Sequence, residues 1–291
     1  MTLTRLQNPY PHWCFTASNG DCLRLVPERG GLLSGWCHAG VEQLYMDHGR
    51  LADPGKSVRG GVPVLFPICG NLLGNRLPLP QGDFSLPQHG FARDRTWSLA
   101  ALDDAGGPQR REGVRMVLTS SPRTLALFPF PFRLDLEWWL EGNGLQARLR
   151  LQNPGSESLP FCAGLHPYFK VSDLAGVGFA GLPEQGLDQR SNQPCDLADA
   201  LTGLAEGVDL LARPKGSVAL LDRGAGRRLQ LRLTPPFDLA VIWTDPPRPM
   251  VCLEPWTAPR GALLSGERRL SVPPGAEQLL QCSFVVDQLV S

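Results

Sequence analysis

The side chains best suited to chemistry lie in four short segments that mix polar residues with glycine, proline and apolar neighbours. These segments are residues 58–67, 86–93, 163–169 and 250–256. They contain His89, His166 and Glu254 among apolar, turn-rich surroundings. Histidine exchanges protons near neutral pH, and a carboxylate can serve as its partner in proton transfer. The set therefore indicates a site that moves protons.

The sequence lacks the motifs of covalent and nucleotide-dependent enzymes. It contains neither the Gly-x-Ser-x-Gly turn that presents a nucleophilic serine nor a glycine-rich phosphate loop of the usual kinds. None of the eight cysteines belongs to a Cys-x-x-Cys pair. We expect these cysteines to be buried free thiols in a reducing compartment.

Each candidate residue also has an interpretation that involves no chemistry. A histidine beside a glycine turn or a proline is often only a structural hydrogen-bonding group, and Glu254 at a strand end could pair with an arginine. A metal site is a further alternative, because two histidines and one glutamate can ligate a divalent ion inside a β-sandwich. The spacing shows no compact ligand motif, so the sequence favours acid–base chemistry without a metal.

Composition excludes several classes of partner. The 28 basic and 28 acidic residues cancel to a net charge of zero, whereas binding to nucleic acid requires a basic surplus. No apolar run approaches the roughly 18 residues of a membrane span, and residues 1–12 contain no apolar signal core. We therefore expect a cytoplasmic protein that binds neither nucleic acid nor membranes.

The elements that must position these residues are predicted to be β-strands. The chain has 32 glycines and 28 prolines among 291 residues, which disfavours long helices and suits short strands joined by tight turns. The clearest hairpin joins strands 133–140 and 145–152, where apolar and polar residues alternate after the turn at 141–144. Further strands are predicted at 13–18, 22–26, 32–38, 96–102, 114–120, 159–165, 217–221, 228–234, 239–244, 250–253, 269–272 and 278–286.

Two stretches depart from this strand pattern. Residues 48–87 are rich in glycine and proline and are predicted to form a long loop, which in a compact domain is usually functional. Residues 196–206 are the best helix candidate, with an aspartate at the start and Gly207 after the end. No change in composition marks a domain boundary, so we predict one all-β sandwich domain over residues 1–291, with fifteen or more strands.

Taken in order, the four segments resemble the aldose 1-epimerase (mutarotase) family. The strongest points are Arg-Gly-Gly-Val-Pro at 59–63, His-Gly-Phe-Ala-Arg at 89–93, His-Pro-Tyr-Phe at 166–169 and Glu-Pro-Trp at 254–256. The similarity extends from about Cys22 to Phe284. It implies a β-supersandwich of galactose-mutarotase type. It also implies an enzyme that interconverts the α and β anomers of an aldose by opening and reclosing the ring, with no cofactor.

The resemblance also implies a role for each candidate residue. Glu254 matches the general base that accepts the proton of the anomeric hydroxyl, and His166 matches the general acid that protonates the ring oxygen. The positions that match substrate-binding residues are His89, Arg59 and Asp209, with Asp188 as an alternative to Asp209. Separately from the resemblance, the chemistry of aromatic side chains suggests Phe91, Tyr168 or Trp256 as a residue that stacks on the apolar face of the sugar.

The expected ligand is a hexose or a hexose 6-phosphate. Segments 59–61 and 89–93 are more similar to the glucose-6-phosphate 1-epimerase branch, in which arginines matching Arg59 and Arg93 bind the phosphate, a task suited to the guanidinium group. The chain departs from that branch at 68–71, where Ile-Cys-Gly-Asn stands in place of a Trp-Phe-Gly stretch. A non-catalytic carbohydrate-binding protein is the alternative function, and the protein is expected to be a monomer or homodimer.

Overall fold

The computed structural model describes residues 2–102 and 111–289, and within them it is built almost entirely from short β-strands. In chain order the strands are β1 (Thr2–Leu6), β2 (His12–Thr16), β3 (Cys22–Val26), β4 (Leu32–His38), β5 (Val41–Glu42), β6 (Val64–Leu65), β7 (Arg76–Leu79), β8 (Gly82–Ser85), β9 (Ser98–Ala101), β10 (Glu112–Thr119), β11 (Arg133–Glu141), β12 (Gly144–Gln152), β13 (Leu159–Phe161), β14 (Gly164–Leu165), β15 (Tyr168–Lys170), β16 (Val177–Ala180), β17 (Gln185–Asp188), β18 (Gln193–Asp196), β19 (Asp209–Ala212), β20 (Val218–Asp222), β21 (Arg227–Thr234), β22 (Leu239–Trp243), β23 (Met250–Trp256), β24 (Leu270–Val272) and β25 (Glu277–Gln288). The α-helices are α1 (His48–Ala52), α2 (Pro122–Leu125), α3 (Leu197–Ala200) and α4 (Ala262–Ser265).

Two large antiparallel sheets form the sandwich, and we call them the first sheet and the site sheet. The first sheet has the order β16-β20-β21-β25-β12-β11-β10-β9, and the site sheet has the order β18-β17-β19-β22-β23-β14-β6, with β15 also paired to β23. A third, N-terminal sheet has the order β1-β2-β3-β4-β5. The smaller two-stranded sheets pair β13 with β24 and β7 with β8.

Side chains that alternate along the strands build the core between the two large sheets. In β12, residues 145, 147, 149 and 151 are buried and the residues between them are partly exposed, as predicted. Phe169 of the site sheet meets Phe284 of the first sheet at a ring-centroid distance of 5.4 Å. Phe66, next to β6, meets Phe132, next to β11, at 5.1 Å. These contacts fix one face of the site sheet against the core and leave its other face for the site.

The predicted all-β class is confirmed, and β3 and β4 have the predicted bounds. The prediction of one long loop over residues 48–87 is wrong, because the stretch contains helix α1, strand β6 and the β7–β8 hairpin. The hairpin was not predicted because of the prolines at 78 and 80. Proline is tolerated only where a strand needs no ladder hydrogen bond from that residue, so it argues against a strand. Four of the eight cysteines are buried, as predicted, and four are partly exposed, which corrects that prediction. The prediction of a single domain stays a prediction.

The helix predicted at 196–206 is shorter than expected. Asp196 caps it as predicted, since its carboxylate accepts hydrogen bonds from the backbone N–H groups of Ala198 and Asp199 at 2.9 and 3.1 Å. The α-helix ends at Ala200, and one 3₁₀ turn, Leu201–Gly203, follows. A glycine at 203 disfavours continuation of the α-helix. None of the described helices is long and apolar enough to cross a membrane.

Candidate functional site

All six predicted site residues line one cavity on the outer face of the site sheet. The cavity is small, about 70 Å³, and is partly open to solvent. The residues that line it are Arg59, Gln88, His89, Arg93, His166, Tyr168, Asp209, Val241, Trp243, Glu254, Trp256 and Arg260. Residues from six segments of the chain thus converge.

Strand β23 places Glu254 on the floor of the cavity. All seven residues of this strand are buried, as expected for a strand covered on both faces. Val251 and Leu253 belong to the hydrophobic core, so alternation turns Cys252 and Glu254 to the opposite face. The glutamate side chain is only 1% exposed, so its ionised form has lost almost all of its water.

His166 lies against Glu254 at the end of β14. Its backbone N–H donates to the carbonyl of Pro63 at 3.0 Å, and its ring stacks on that of Tyr168 at 4.7 Å. The ring is thereby held so that Nε2 lies 3.3 Å from Oε1 of Glu254. The other carboxylate oxygen of Glu254 accepts a hydrogen bond from the indole N–H of Trp256 at 2.9 Å.

Burial moves the two pKa values in opposite directions. It lowers the pKa of His166 to about 3, and the positive charges of Arg93 and Arg59 act in the same direction. Burial also raises the pKa of Glu254 well above its usual range, although the hydrogen bond from Trp256 opposes this shift. The low-polarity surroundings disfavour both charged forms. The pair therefore favours the state in which Glu254 is protonated and His166 is neutral.

His89 presents a single, defined tautomer to the cavity. Its Nδ1 accepts a hydrogen bond from the backbone N–H of Gly70 at 3.1 Å, so Nε2 carries the proton when the ring is neutral. Burial, followed by the charges of His166 and Arg93, lowers the pKa of His89 well below its usual value. His89 is therefore a neutral donor. Its backbone has φ 66°, a left-handed conformation that the sequence did not predict for this residue.

Three arginines give the cavity its positive charge. The Arg59 guanidinium lies 5.5 Å from the ring centroid of Trp243 and 3.5 Å, at Nε, from the Asp245 carboxylate. Arg93 donates from Nη2 to the carbonyl of Gln88 at 2.9 Å and has no carboxylate partner among residues 2–102 and 111–289. The third arginine, Arg260, was missed by the sequence analysis.

Arg260 orients the aspartate of the cavity. Its Nη2 donates to Oδ2 of Asp209 at 2.5 Å, and Nε2 of Gln189 donates to Oδ1 of Asp209 at 2.8 Å. Burial raises the pKa of Asp209, and the Arg260 charge opposes this shift. The alternative, Asp188, lies outside the cavity, where its carboxylate accepts hydrogen bonds from the backbone of Arg190 and from Ser191. Asp209 is therefore the residue that reaches the cavity.

Two of the three aromatic candidates for stacking on a sugar reach the cavity, and for them stacking stays a prediction. Tyr168 and Trp256 line the cavity, but Phe91 packs in the core against Phe66, with their rings at 6.0 Å. Trp243, which the sequence analysis missed, lines the cavity and is only partly buried. The signal available for Trp243 was its position at the end of the apolar strand that precedes β23.

The metal alternative has a different ligand set from the one predicted. Ligand atoms of His166, Glu254 and Cys252 lie within 4.8 Å of one another, whereas His89 does not join this group. Burial raises the pKa of the Cys252 thiol well above its usual value, and the Glu254 carboxylate adds to the shift. A bound metal ion would itself deprotonate this thiol, so the shift does not bear on the metal alternative, and the 3.3 Å approach of His166 Nε2 to Glu254 Oε1 is the geometry of an acid–base couple.

A larger groove of about 590 Å³ lies beside β9 and β10. Its lining includes Arg95, Arg123 and Arg133, together with several hydroxyl side chains, but contains no histidine. The acid–base couple is therefore confined to the smaller cavity, which we take as the candidate active site.

Comparison with known proteins identifies the family of the chain. A family model described as aldose 1-epimerase matches residues 14–270. A relative from Escherichia coli (strain K12), named "Putative glucose-6-phosphate 1-epimerase", is 31% identical over 163 residues, which cover 55% of this chain and 49% of that protein. The chain thus spans about half the length of this relative.

Solved structures show the same fold over nearly the whole chain. The Slr1438 protein from Synechocystis sp. PCC 6803 superposes with a TM-score of 0.89 and 31% identity, and the match covers 99% of both chains. A galactose mutarotase-like protein from Clostridium acetobutylicum superposes with a TM-score of 0.81 and 17% identity, covering 99% of this chain and 98% of that one. The predicted galactose-mutarotase type of β-sandwich is confirmed.

Proposed function

The chain belongs to the aldose 1-epimerase family, and from this premise we propose that it interconverts the α and β anomers of a hexose 6-phosphate. The observation that carries the proposal is the buried pair of His166 and Glu254, 3.3 Å apart, in a cavity that also holds three arginines. Mutarotation needs one proton acceptor and one proton donor at a hemiacetal, and the pair supplies both.

In the proposed mechanism, Glu254 and His166 act at two different oxygens of the sugar. Ionised Glu254 accepts the proton of the anomeric hydroxyl while protonated His166 donates a proton to the ring oxygen. The bond between C1 and the ring oxygen breaks and leaves an open-chain aldehyde. Rotation about C1–C2 and reversal of both proton transfers close the ring on the other face. Each group contributes about 10²–10⁴-fold when it is well placed.

In the resting pair Glu254 holds the proton and His166 is neutral, so transfer of that proton to His166 across 3.3 Å gives the ionised base and the protonated acid that open the ring. A raised pKa makes Glu254 a stronger base than an ordinary carboxylate, and a lowered pKa makes protonated His166 a stronger acid than an ordinary imidazolium. The opening step neutralises both groups, and burial favours those neutral forms. We expect the neutral His89 to donate its Nε2–H to a sugar oxygen, and the Asp209 carboxylate to accept from a sugar hydroxyl.

Arg93 supports a phosphorylated substrate. Its guanidinium lies in the cavity without a carboxylate partner among the described residues, and a phosphate accepts two parallel hydrogen bonds from such a group. Arg59 lines the same cavity and is the second candidate for binding the phosphate. The relative's printed name, which refers to glucose 6-phosphate, agrees with this assignment.

An unphosphorylated hexose is the second candidate substrate, because the Asp209–Gln189–Arg260 cluster offers hydroxyl-binding groups that do not depend on a phosphate. Two-dimensional exchange NMR on glucose, galactose and glucose 6-phosphate tests both candidates. We expect accelerated anomer exchange with glucose 6-phosphate above all. Saturable binding without faster exchange would instead favour a carbohydrate-binding protein, and activity lost to a chelator would favour the metal alternative.

Two variants test the assignment of roles. Glu254→Gln removes the base at almost unchanged size, and His166→Asn removes the acid and leaves a smaller polar side chain. We expect each variant to lower kcat by about 10²–10⁴-fold. Trp243→Phe is the control. It changes another residue of the same cavity but leaves Glu254 and His166 in place, so it should retain most of the turnover. Normal exchange rates in Glu254→Gln would contradict the mechanism.

A further inference from the structure

Gly70 lies outside the cavity but contacts two of the residues that line it. It belongs to segment 68–71, is buried, and lies in the connection between β6 and β7. Its backbone is hydrogen-bonded to His89, and the side chain of Arg260 packs against the side on which any larger residue would carry its Cβ. Arg260 in turn holds Asp209. Gly70 therefore adjoins His89 directly and Asp209 through Arg260.

Two hydrogen bonds fix the backbone of Gly70 to His89. The N–H of Gly70 donates to Nδ1 of His89 at 3.1 Å, and the carbonyl of Gly70 accepts from the backbone N–H of His89 at 2.5 Å. The first of these bonds determines which ring nitrogen of His89 carries the proton. Because both bonds end on the same turn, any movement of the turn at residue 70 also moves or releases His89.

The absence of a side chain at residue 70 makes room for Arg260. A Cβ on Gly70 would lie 2.2 Å from Cγ and 3.0 Å from Cδ of Arg260. These carbons are close to the backbone of the arginine, so bending of the far end of its side chain would not relieve the overlap. Gly70 also has φ 71°, in the left-handed region that favours glycine. A larger residue would have to displace Arg260 or move the turn.

Displacement of Arg260 would loosen the carboxylate of Asp209. This carboxylate accepts from Nη2 of Arg260 at 2.5 Å and from Nε2 of Gln189 at 2.8 Å. Without the arginine it would keep the neutral donor and lose the charged one, which is the stronger of the two. The 3.3 Å contact between His166 and Glu254 involves neither Gly70 nor Arg260.

We propose that Gly70 is a positioning residue, which sets Asp209 and His89 through the space that it leaves for Arg260 and through its hydrogen bonds to His89. The effect on turnover rests on the proposed function, because Asp209 and His89 are the groups expected to bind sugar oxygens. A Cβ at residue 70 should weaken substrate binding and spare the chemical step. In Gly70→Ala we expect KM for glucose 6-phosphate to rise about ten- to hundred-fold, as for a lost hydrogen bond to a charged group, with kcat within about threefold of wild type.

Exchange NMR over a range of glucose 6-phosphate concentrations measures KM and kcat. Gly74→Ala is the matched control, because Gly74 lies in the same connection, has φ 60°, and would place a Cβ 3.9 Å from Cγ of Arg76. This control shares the backbone strain without the overlap, so it should keep the wild-type KM and kcat. A smaller folded fraction would lower kcat and leave KM unchanged. An unchanged KM in Gly70→Ala, or equal KM changes in both variants, would overturn the proposal.

Arg260→Ala provides a second test, because it removes the two carbons that a Cβ at residue 70 would overlap. If Gly70→Ala acts through Arg260, the double variant should have the KM of Arg260→Ala alone. Fold-changes in KM that multiply would overturn the proposal. If Gly70→Ala alone does not fold, the double variant should fold, and failure of both to fold would also overturn it.

Urea denaturation tests the contact without substrate. Gly70→Ala should lower the denaturation midpoint much more in the wild-type background than in Arg260→Ala, where the loss should match that of Gly74→Ala. Equal losses in the two backgrounds would overturn the proposal. A wild-type protein that exchanges no anomers would instead overturn the proposed function. The dissociation constant of glucose 6-phosphate, measured by titration, would then take the place of KM in the comparison of variants.

Discussion

At the scale of single residues, the site contains a glutamate whose ionised form is destabilised by burial. Glu254 is buried almost completely, and its neighbours offer one indole hydrogen bond and one imidazole. A carboxylate in such a place favours its protonated form. The raised pKa that makes Glu254 a strong base therefore also means that its ionised form destabilises the folded protein.

Replacement of Glu254 by glutamine should stabilise the protein above acidic pH. Because the pKa of Glu254 is raised in the folded state, the wild-type side chain contributes fully below the unfolded pKa near 4.3, and this contribution is lost as pH rises through the folded pKa. Glutamine stays neutral and keeps an acceptor for Trp256. We expect the Tm of the variant to exceed that of wild type by several degrees at pH 8, with little difference at pH 4.

Thermal melts of both proteins over pH 4–8 measure this difference. His166→Asn is the control, because it removes the other member of the pair without removing the buried carboxyl group. A Glu254→Gln variant that is less stable than wild type at pH 8 would show that the ionised glutamate is well solvated by its surroundings, contrary to its raised pKa.

Removal of the Arg93 charge should separate phosphorylated from unphosphorylated substrates. Arg93→Gln loses a charge-assisted contact worth about 1.5–3 kcal/mol, so KM for glucose 6-phosphate should rise by about ten- to hundred-fold. Turnover of glucose, measured by the same NMR exchange assay, should change little. Arg95→Gln, two residues away in the separate groove, is the matched control. An unchanged KM for Arg93→Gln would place the phosphate elsewhere.

At the scale of elements, the turn that places His89 in the cavity lies between strands β8 and β9. Gly90 has φ 72°, and a Cβ at this position would lie 2.1 Å from the carbonyl oxygen of Phe66. The close approach lets residue 90 form a bridge to Phe66, next to β6. The glycine is therefore required both for its backbone conformation and for space.

Gly90→Ala should destabilise the protein more than Gly142→Ala does. Both glycines have a positive φ, which costs an alanine roughly 1–2 kcal/mol. A Cβ at Gly142, in the turn between β11 and β12, meets nothing within 4 Å, whereas at Gly90 it meets backbone. We expect urea denaturation to show a loss of about 1 kcal/mol for Gly142→Ala and about 3 kcal/mol or more for Gly90→Ala, with activity lost in Gly90→Ala alone. Equal losses would argue against the close approach.

At the scale of the whole molecule, β25 joins two parts of the first sheet. It lies between β21 and β12, so a strand near the end of the chain pairs with strands from two other regions. Phe284 of β25 is opposite Leu145 on one side and Leu231 on the other, and its ring meets Phe169 of the site sheet. One side chain thus connects both sheets.

Phe284→Ala should destabilise the fold far more than Leu279→Ala. Phe284 is completely buried, and such a truncation typically costs about 3–5 kcal/mol. Leu279 of the same strand is 46% exposed, and its truncation should cost less than about 1 kcal/mol. Chemical denaturation of the two variants gives the comparison. Similar losses would mean that the contact between the sheets contributes little.

The sequence by itself determined the strand content and most of the cavity residues. Alternation of apolar and polar residues is a local pattern, which explains why β3, β4 and the β11–β12 hairpin were predicted closely. The four polar segments were recognisable because each keeps its order and spacing within a short stretch. Their predicted chemical roles stay predictions until the variants above are measured.

Only the tertiary structure decided which residues complete the site. Asp209 and not Asp188 reaches the cavity, and Arg260 and Gln189 hold it there. Phe91 belongs to the core, while Trp243 lines the cavity. The opposite pKa shifts of Glu254 and His166 likewise depend on burial. These properties arise from contacts between segments far apart in the chain, and no local sequence pattern encodes such contacts.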